Sequence, residues 1–390
     1  MKKSRKILSA LLATLMLALV LSLCVSAESG NTLQFNENGK FKIMIFADTQ
    51  DDESVEETTL ALMNEALDKY QPDLVVYLGD NTVAKGYDNQ YTAIKAITAP
   101  CVSRNIPYSI VFGNHDQENK VDKETLLKIY REFGCITYDA VPEMYGCGNC
   151  NFPVLSSDGS KIAFNLWFID SGSSNKENDL GGYDYVHEDQ INWYKETAAQ
   201  LKEANGGTTV PSINFQHIIV PEIYEALYTG LNIGITGSTT YKGVTYLPVP
   251  NIFAYSGFIY EPPCPPYTTA GQFDAWVETG DIVASFFGHD HINSFTANYK
   301  GIDLTCVPTV GCNSYSNDLN RGVGLITLDE NNPEDYTYKL IKMFDMALAK
   351  GSNIPSSEGG HSKFYYGFIK VVSMFLTSVK KLLSYFIYNV

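Results

Sequence analysis

The sequence predicts a mixed α/β fold, with a parallel sheet in its first third and a β-rich C-terminal part. Three observations carry that expectation. From residue 41 to 112, apolar runs of strand length alternate with helical periods. Several such runs end abruptly in Asp, Asn, Gln or His, as strands do when they deliver a site to a sheet edge. After residue 281, short β-like runs replace the helical spacing.

Residues 41–47 form the first strand and deliver Asp48 and Gln50. In 53–70, Leu60, Met63, Leu67 and Tyr70 recur at helical spacing behind acids that suit a helix N-terminus. Strand 73–78 ends in Gly79-Asp80, 91–104 is helical, and strand 108–112 ends in Gly113-Asn114-His115-Asp116. A helix over 124–133 precedes a Gly- and Cys-rich loop or small hairpin over 134–160. Strand 161–169 ends at Asp170, 188–201 is helical, and strand 212–216 delivers His217. Residues 222–270, rich in Gly, Pro, Tyr and Thr, read as an active-site insertion, with 255–267, including Glu261 and Cys264, as its pocket rim. Strand 281–287 leads into Gly288-His289-Asp290-His291. The β-like runs at 294–299, 302–307, 324–328 and 336–341 are expected to build a second sheet.

Both ends of the chain have their own character. Residues 1–27 combine a basic start, an apolar run and Ser26-Ala27, the layout of a secretory signal cleaved after Ala27; an uncleaved membrane anchor is the rival reading. A secreted or extracellular protein is therefore expected. Residues 350–362 read as a flexible linker and 364–390 as an amphipathic apolar helix with one narrow polar stripe. Such a helix suits peripheral membrane contact or docking on a protein surface.

The net charge is −16, and −20 without the four basic residues of 1–27, which argues against a stable nucleic-acid partner because phosphate neutralisation needs Lys and Arg. A small phosphate ester bound at a metal ion remains compatible. Seven cysteines follow residue 27, and Cys147 and Cys150 read as a local disulfide or as two spectator thiols.

Four of the six histidines, His115, His217, His289 and His291, directly follow apolar strands, whereas His187 and His361 read as surface residues. Taken singly, His217 reads as a satisfied core histidine and Asp80 as a cap. Together, Asp and Asn oxygens with imidazole nitrogens suit first-row transition-metal ions.

The order Asp48-x-Gln50, Gly79-Asp80, Gly113-Asn114-His115-Asp116, His217, Gly288-His289-x-His291 resembles the calcineurin-like metallophosphoesterase superfamily, in its purple-acid-phosphatase-like branch. The resemblance covers 41–345 as one catalytic domain and implies a four-layer α/β/β/α sandwich of two packed mixed sheets. It also implies two transition-metal ions (Mn, Fe or Zn), one held by Asp48, Asp80 and His291 with Gln50 as a fourth ligand. The other would be held by Asp80, Asn114, His217 and His289. A hydroxide bridging the ions would attack a phosphate ester, with His115 as general acid oriented by Asp116. Two departures stand out. Gln50 occupies a position where the family commonly has His, and Val83 one where the purple enzymes carry Tyr. The alternative reading is a binding or scaffold protein on the same fold, catalytically weak or inactive, with Gln50 as its first sign of decay.

Overall fold

The computed structural model describes residues 32–349 except 140, 175–181, 232–238, 242, 243 and 252, together with residues 371, 374, 375, 378 and 379. The expected signal 1–27, the linker 350–362, His361 and most of 364–390 lie outside the described residues. Among the described residues, no helix is long and apolar enough to cross a membrane.

The chain opens with β1 (Leu33–Gln34), β2 (Lys40–Phe46), α1 (Glu57–Tyr70), β3 (Leu74–Leu78), α2 (Tyr87–Val102) and β4 (Tyr108–Val111). A single 3₁₀ turn, His115–Gln117, leads to α3 (Lys123–Glu132). Next come β5 (Cys150–Leu155), β6 (Ile162–Phe168), α4 (Glu188–Ala204), β7 (Ser212–Phe215) and α5 (Ile223–Leu227). A small three-stranded sheet follows from β8 (Tyr228–Leu231), β9 (Thr239–Tyr241) and β10 (Val244–Pro250). The remainder is β11 (Tyr255–Phe258), α6 (Gln272–Thr279), β12 (Ile282–Phe287), β13 (Ser294–Tyr299), β14 (Ile302–Cys306), β15 (Gly322–Asp329), β16 (Thr337–Lys342) and α7 (Met343–Ala349).

Two large sheets pack face to face. One has the order β16-β15-β2-β3-β4 and the other β1-β5-β6-β7-β12-β14-β13-β11. Side-chain alternation shows why. On β2, Met44 and Phe46 pack with Leu62, Ile94 and Leu126 of the helices, whereas Ile43 and Ile45 pack with Phe164, Phe168 and Phe286 of the other sheet. Both faces of residues 43–46 of β2 and of β3 are therefore buried, so these stretches run continuously apolar instead of alternating. On the outer face of the larger sheet, Trp167 and Phe287 pack under Tyr194 and Trp276 of α4 and α6. The layers are thus helices, sheet, sheet, helices, as the resemblance implied.

The strand assignment after 281 needs one correction. β12, β13 and β14 join the sheet that already contains β6 and β7, but β15 and β16 return to the first sheet, with β15 antiparallel to β2. A strand's local pattern records its buried faces and does not name its neighbour. Gly324 on β15 permits the pairing, since a Cβ there would stand 3.2 Å from both Ile45 and the Tyr338 ring. Helix α6 was not anticipated, although Phe273 and Trp276, both buried between Gly271 and Gly280, carry its one-turn spacing.

Candidate metal centre

β2, β3 and β4 run parallel in one sheet, and β6, β7 and β12 run parallel in the other. Their C-terminal ends meet along one edge. The first sheet delivers Asp48, Asp80 and Asn114 there, and the second delivers His217, His289 and His291; all six are buried. The loops that carry them are tightly wound. Asp48, Gln50, Asp80 and His289 adopt positive φ of 50°, 41°, 48° and 72°, a conformation that costs a non-glycine residue roughly 1–2 kcal/mol. Four such residues in one cluster must be held by their surroundings. Gln50 N donates to Asp80 O at 3.0 Å, His289 N to Asp48 Oδ1 at 3.1 Å, and Thr309 Oγ1 to Asp48 O at 2.7 Å.

The glycines that precede Asp80, Asn114 and His289 have a spatial reason. A Cβ on Gly79 would collide with His217, one on Gly113 with the Asp80 carboxylate, and one on Gly288 would stand 2.8 Å from Asp48 Oδ2.

Two clusters of ligand atoms result, Asp80-His217-His289 and Asp48-Asp80-His291; within each, the atoms lie within 4.8 Å of one another, and both include Asp80. Backbone carbonyls orient two of the imidazoles. His217 Nδ1 lies 2.9 Å from Leu78 O and His291 Nδ1 lies 3.0 Å from Tyr315 O. Each therefore turns Nε2 toward the carboxylates, with His217 Nε2 3.2 Å from Asp80 Oδ2 and His291 Nε2 3.4 Å from Asp48 Oδ1. A hydrogen bond at the far ring nitrogen is how metal-ligating histidines are usually aimed. Asn114 Oδ1 is buried without a hydrogen-bond partner, which suits a lone pair meant for a cation.

Electrostatics point the same way. Burial raises the Asp48 carboxyl well above the usual carboxylate range, against the pull of His217, and nearby Asp80 adds to the rise. Burial acts on Asp80 too, but His217, His115 and His289 outweigh it and hold Asp80 low. Burial disfavours charge on His217, yet attraction to Asp80 and Asp48 pushes it up to about 10. His289 and His291 are pushed down to about 3 and about 4, by burial first. Two buried carboxylates thus demand positive charge, while two imidazoles stay neutral and keep their lone pairs. Donor types, orphaned oxygen and glycine cradle fit two small cations sharing Asp80.

The other predicted residues divide. Gln50 reaches the site, where its Nε2 donates to Asp80 Oδ2 at 3.2 Å. His115 is half-buried at the rim, with its backbone N on Asp80 Oδ1 at 2.8 Å. The expectation that Asp116 orients His115 is corrected. Asp116 accepts from the backbone N–H groups of Gly113, Asn81 and Thr82, and Glu118 is the residue that meets the His115 ring. In a 3₁₀ turn adjacent side chains diverge while i and i+3 align, a signal that was readable in the spacing.

Four further residues can be placed. Asp170 binds Lys123 Nζ through both oxygens at 2.8 and 2.9 Å. His187 is not a plain surface residue, because it caps α4 and stacks between Tyr145 and Tyr185. Cys147 and Cys150 are buried free thiols, and burial raises both. Sequence reasoning missed Tyr183 and Tyr315, which pack on His289 and His291.

Residues 41–293 match the family model described as calcineurin-like phosphoesterase. An Arabidopsis thaliana protein named "Probable inactive purple acid phosphatase 14" is 30% identical over 357 residues, covering 80% of this chain and 82% of that one. "Phosphatase DCR2" of Saccharomyces cerevisiae is 28% identical over 293 residues, covering 67% of this chain and 46% of that one. Among solved structures, a dimetal phosphatase from Danio rerio aligns with 77% of this chain and 98% of its own, at a TM-score of 0.46 and 12% identity.

Proposed function

The chain belongs to the calcineurin-like phosphoesterase family, and on that premise we propose that it hydrolyses phosphate mono- or diesters with two transition-metal ions (Mn, Fe or Zn) held by its buried donors. The observation that carries this reading is the pair of ligand clusters meeting at Asp80. Asp48, Asp80 and His291 would hold one ion, and Asp80, Asn114, His217 and His289 the other. Gln50 supports the shared carboxylate from outside. Bound ions of this kind supply an activated water and neutralise charge on the phosphoryl oxygens. His115, its Nδ1 engaged by Glu118, would donate a proton from Nε2 to the departing ester oxygen. The layout of 1–27 supports export, and the apolar, lysine-bearing 364–390 supports peripheral membrane contact. Loss of residues 350–390 should then release the protein from membranes, and unchanged association would remove the second idea.

Two observations favour a second reading, a binding or scaffold protein without turnover: the amide at Gln50, and the word "inactive" in the name of the Arabidopsis relative. The yeast relative's name, "Phosphatase DCR2", favours activity. One experiment decides. The purified protein is loaded with manganese, zinc or iron and assayed on p-nitrophenyl phosphate and its bis ester, beside Asp80→Ala and His115→Ala, with metal counted per chain. Two ions with turnover lost in Asp80→Ala, and only modestly slowed in His115→Ala because p-nitrophenolate departs without a proton, support the enzyme. Two ions without turnover support the scaffold, and no bound ion overturns the binuclear site itself.

A further inference from the structure

The two histidines that close the site each carry a tyrosine, and the two contacts differ in kind. Tyr183 meets His289 edge to face, with ring centroids 4.3 Å apart at 88°. Tyr315 lies flat on His291, with centroids 4.1 Å apart at 7°. Parallel stacking occupies one face of the Tyr315 ring only, and the residue remains 57% exposed, so the other face is open to solvent. The ring is also held in place. Its hydroxyl donates to both oxygens of Glu261 at 3.3 Å, and Glu261 in turn accepts from Ile292 N at 3.2 Å. An exposed aromatic ring ordinarily samples several rotamers; this one is tied at its tip and stacked along its inner face.

A second exposed ring borders the same mouth. Tyr267 is 56% exposed and packs on the residue before Tyr183, for a Cβ on Gly182 would stand 2.7 Å from its ring. The approach to the centre is therefore lined by flat apolar surfaces, with the most firmly held of them one stacking distance from a ligand.

We propose that Tyr315 is a specificity residue whose open face stacks on a planar ring in the alcohol portion of the ester, so that aromatic and heteroaromatic phosphate esters are preferred over those of small aliphatic alcohols. The inference rests on the reading of the buried clusters as the phosphoryl site. A group held at the ions has its ester oxygen beside them, and Tyr315 is the exposed ring stacked on His291, whose Nε2 faces Asp48. Stacking of this kind contributes about 0.5–1.5 kcal/mol beyond area burial, roughly a two- to tenfold change in affinity.

The test uses binding and needs no turnover. Calorimetry measures the affinities of phenylphosphonate and methylphosphonate for the metal-loaded full chain, for Tyr315→Phe and for Tyr315→Leu, with metal counted in each. Phenylphosphonate is expected to bind about three- to tenfold more tightly than methylphosphonate. That ratio should survive in the Phe variant and fall to about one in the Leu variant. A wild-type ratio near one, or a ratio that persists in Tyr315→Leu, overturns the platform. If the Leu variant loses metal and both phosphonates weaken in parallel, Tyr315 positions His291 and the proposal is wrong. If neither phosphonate binds the metal-loaded wild type, the phosphoryl-site reading fails and the platform falls with it.

Discussion

His115 Nδ1 lies 2.8 Å from Glu118 Oε2, one turn along the 3₁₀ segment, and not against its neighbour Asp116. Glu118 is exposed and His115 only half-buried, so the pair contributes little to stability. What it does is hold an imidazole that would otherwise rotate. If His115 is the general acid, its removal matters most where the leaving oxygen needs a proton. We expect His115→Ala to slow an alkyl phosphate about 100-fold or more, and p-nitrophenyl phosphate, whose leaving group departs as a stable anion, far less. Glu118→Gln should show the same substrate dependence at smaller size. Equal losses on the two esters, read as kcat, would dispose of the proton-donor role.

Asp116 has a different task. Its carboxylate is fully enclosed and accepts from Gly113 N at 2.8 Å, Asn81 N at 3.0 Å and Thr82 N at 3.4 Å, tying the loop after β3 to the loop after β4. Asp116→Ala strands three buried donors, each costing about 1–3 kcal/mol when left unmade. The expected loss is at least about 3 kcal/mol, a drop of roughly 6 °C or more in melting temperature. A melting temperature within a degree of wild type would show that water or relaxation replaces those bonds.

Gln50 is one of the two positions that set this chain apart in the resemblance drawn from its sequence, and its contact shows what the amide does there. A neutral amide that hydrogen-bonds the shared carboxylate would leave an ion held by Asp48, Asp80 and His291 with three protein ligands. Gln50→His offers an imidazole in its stead, and the first ion should then resist a chelator about tenfold better. Competition with a metallochromic chelator measures this. An unchanged release midpoint would mean that position 50 does not control the first ion.

Much of this site was legible because its residues follow strands, and a strand that ends in a ligand announces itself in one dimension. Asp48, Asp80, Asn114, His217, His289 and His291 were found in this way, and the structure brings all six to one edge. The sheet order was legible only where strands are sequential neighbours. β15 lies beside β2 across nearly the whole chain, a pairing made by a shared core that no local window contains. The left-handed backbone at Asp48 and His289 was equally hidden, since nothing in their residue types demands it; the collisions awaiting a Cβ at Gly113 and Gly288 explain the neighbouring glycines only in three dimensions. Tyr315 escaped notice because an aromatic residue in a loop has no period to betray it.

Asp170, which had no role from its position alone, proves to be half of a buried ion pair, and that pair supports a sharp stability prediction. Lys123 and Asp170 side chains are 5% and 0% exposed, and Asp170 also accepts from Cys147 N at 2.8 Å and Gly172 N at 3.0 Å. One carboxylate thereby joins the start of α3, the loop after it and the end of β6, at the wall of a cavity of about 480 Å³ that Gln117 also lines. Lys123→Met removes the cation and leaves the carboxylate buried and uncompensated, which costs about 3–5 kcal/mol. The double variant Lys123→Met with Asp170→Leu, which removes both charges, should recover part of that loss even though two backbone donors stay unpaired. Urea unfolding resolves the difference through its midpoint, with the slope unchanged. If the single variant loses less than about 1 kcal/mol, or the double variant is the less stable of the two, the pair is not an obligatory charge couple and the backbone bonds to Asp170 alone hold the three segments together.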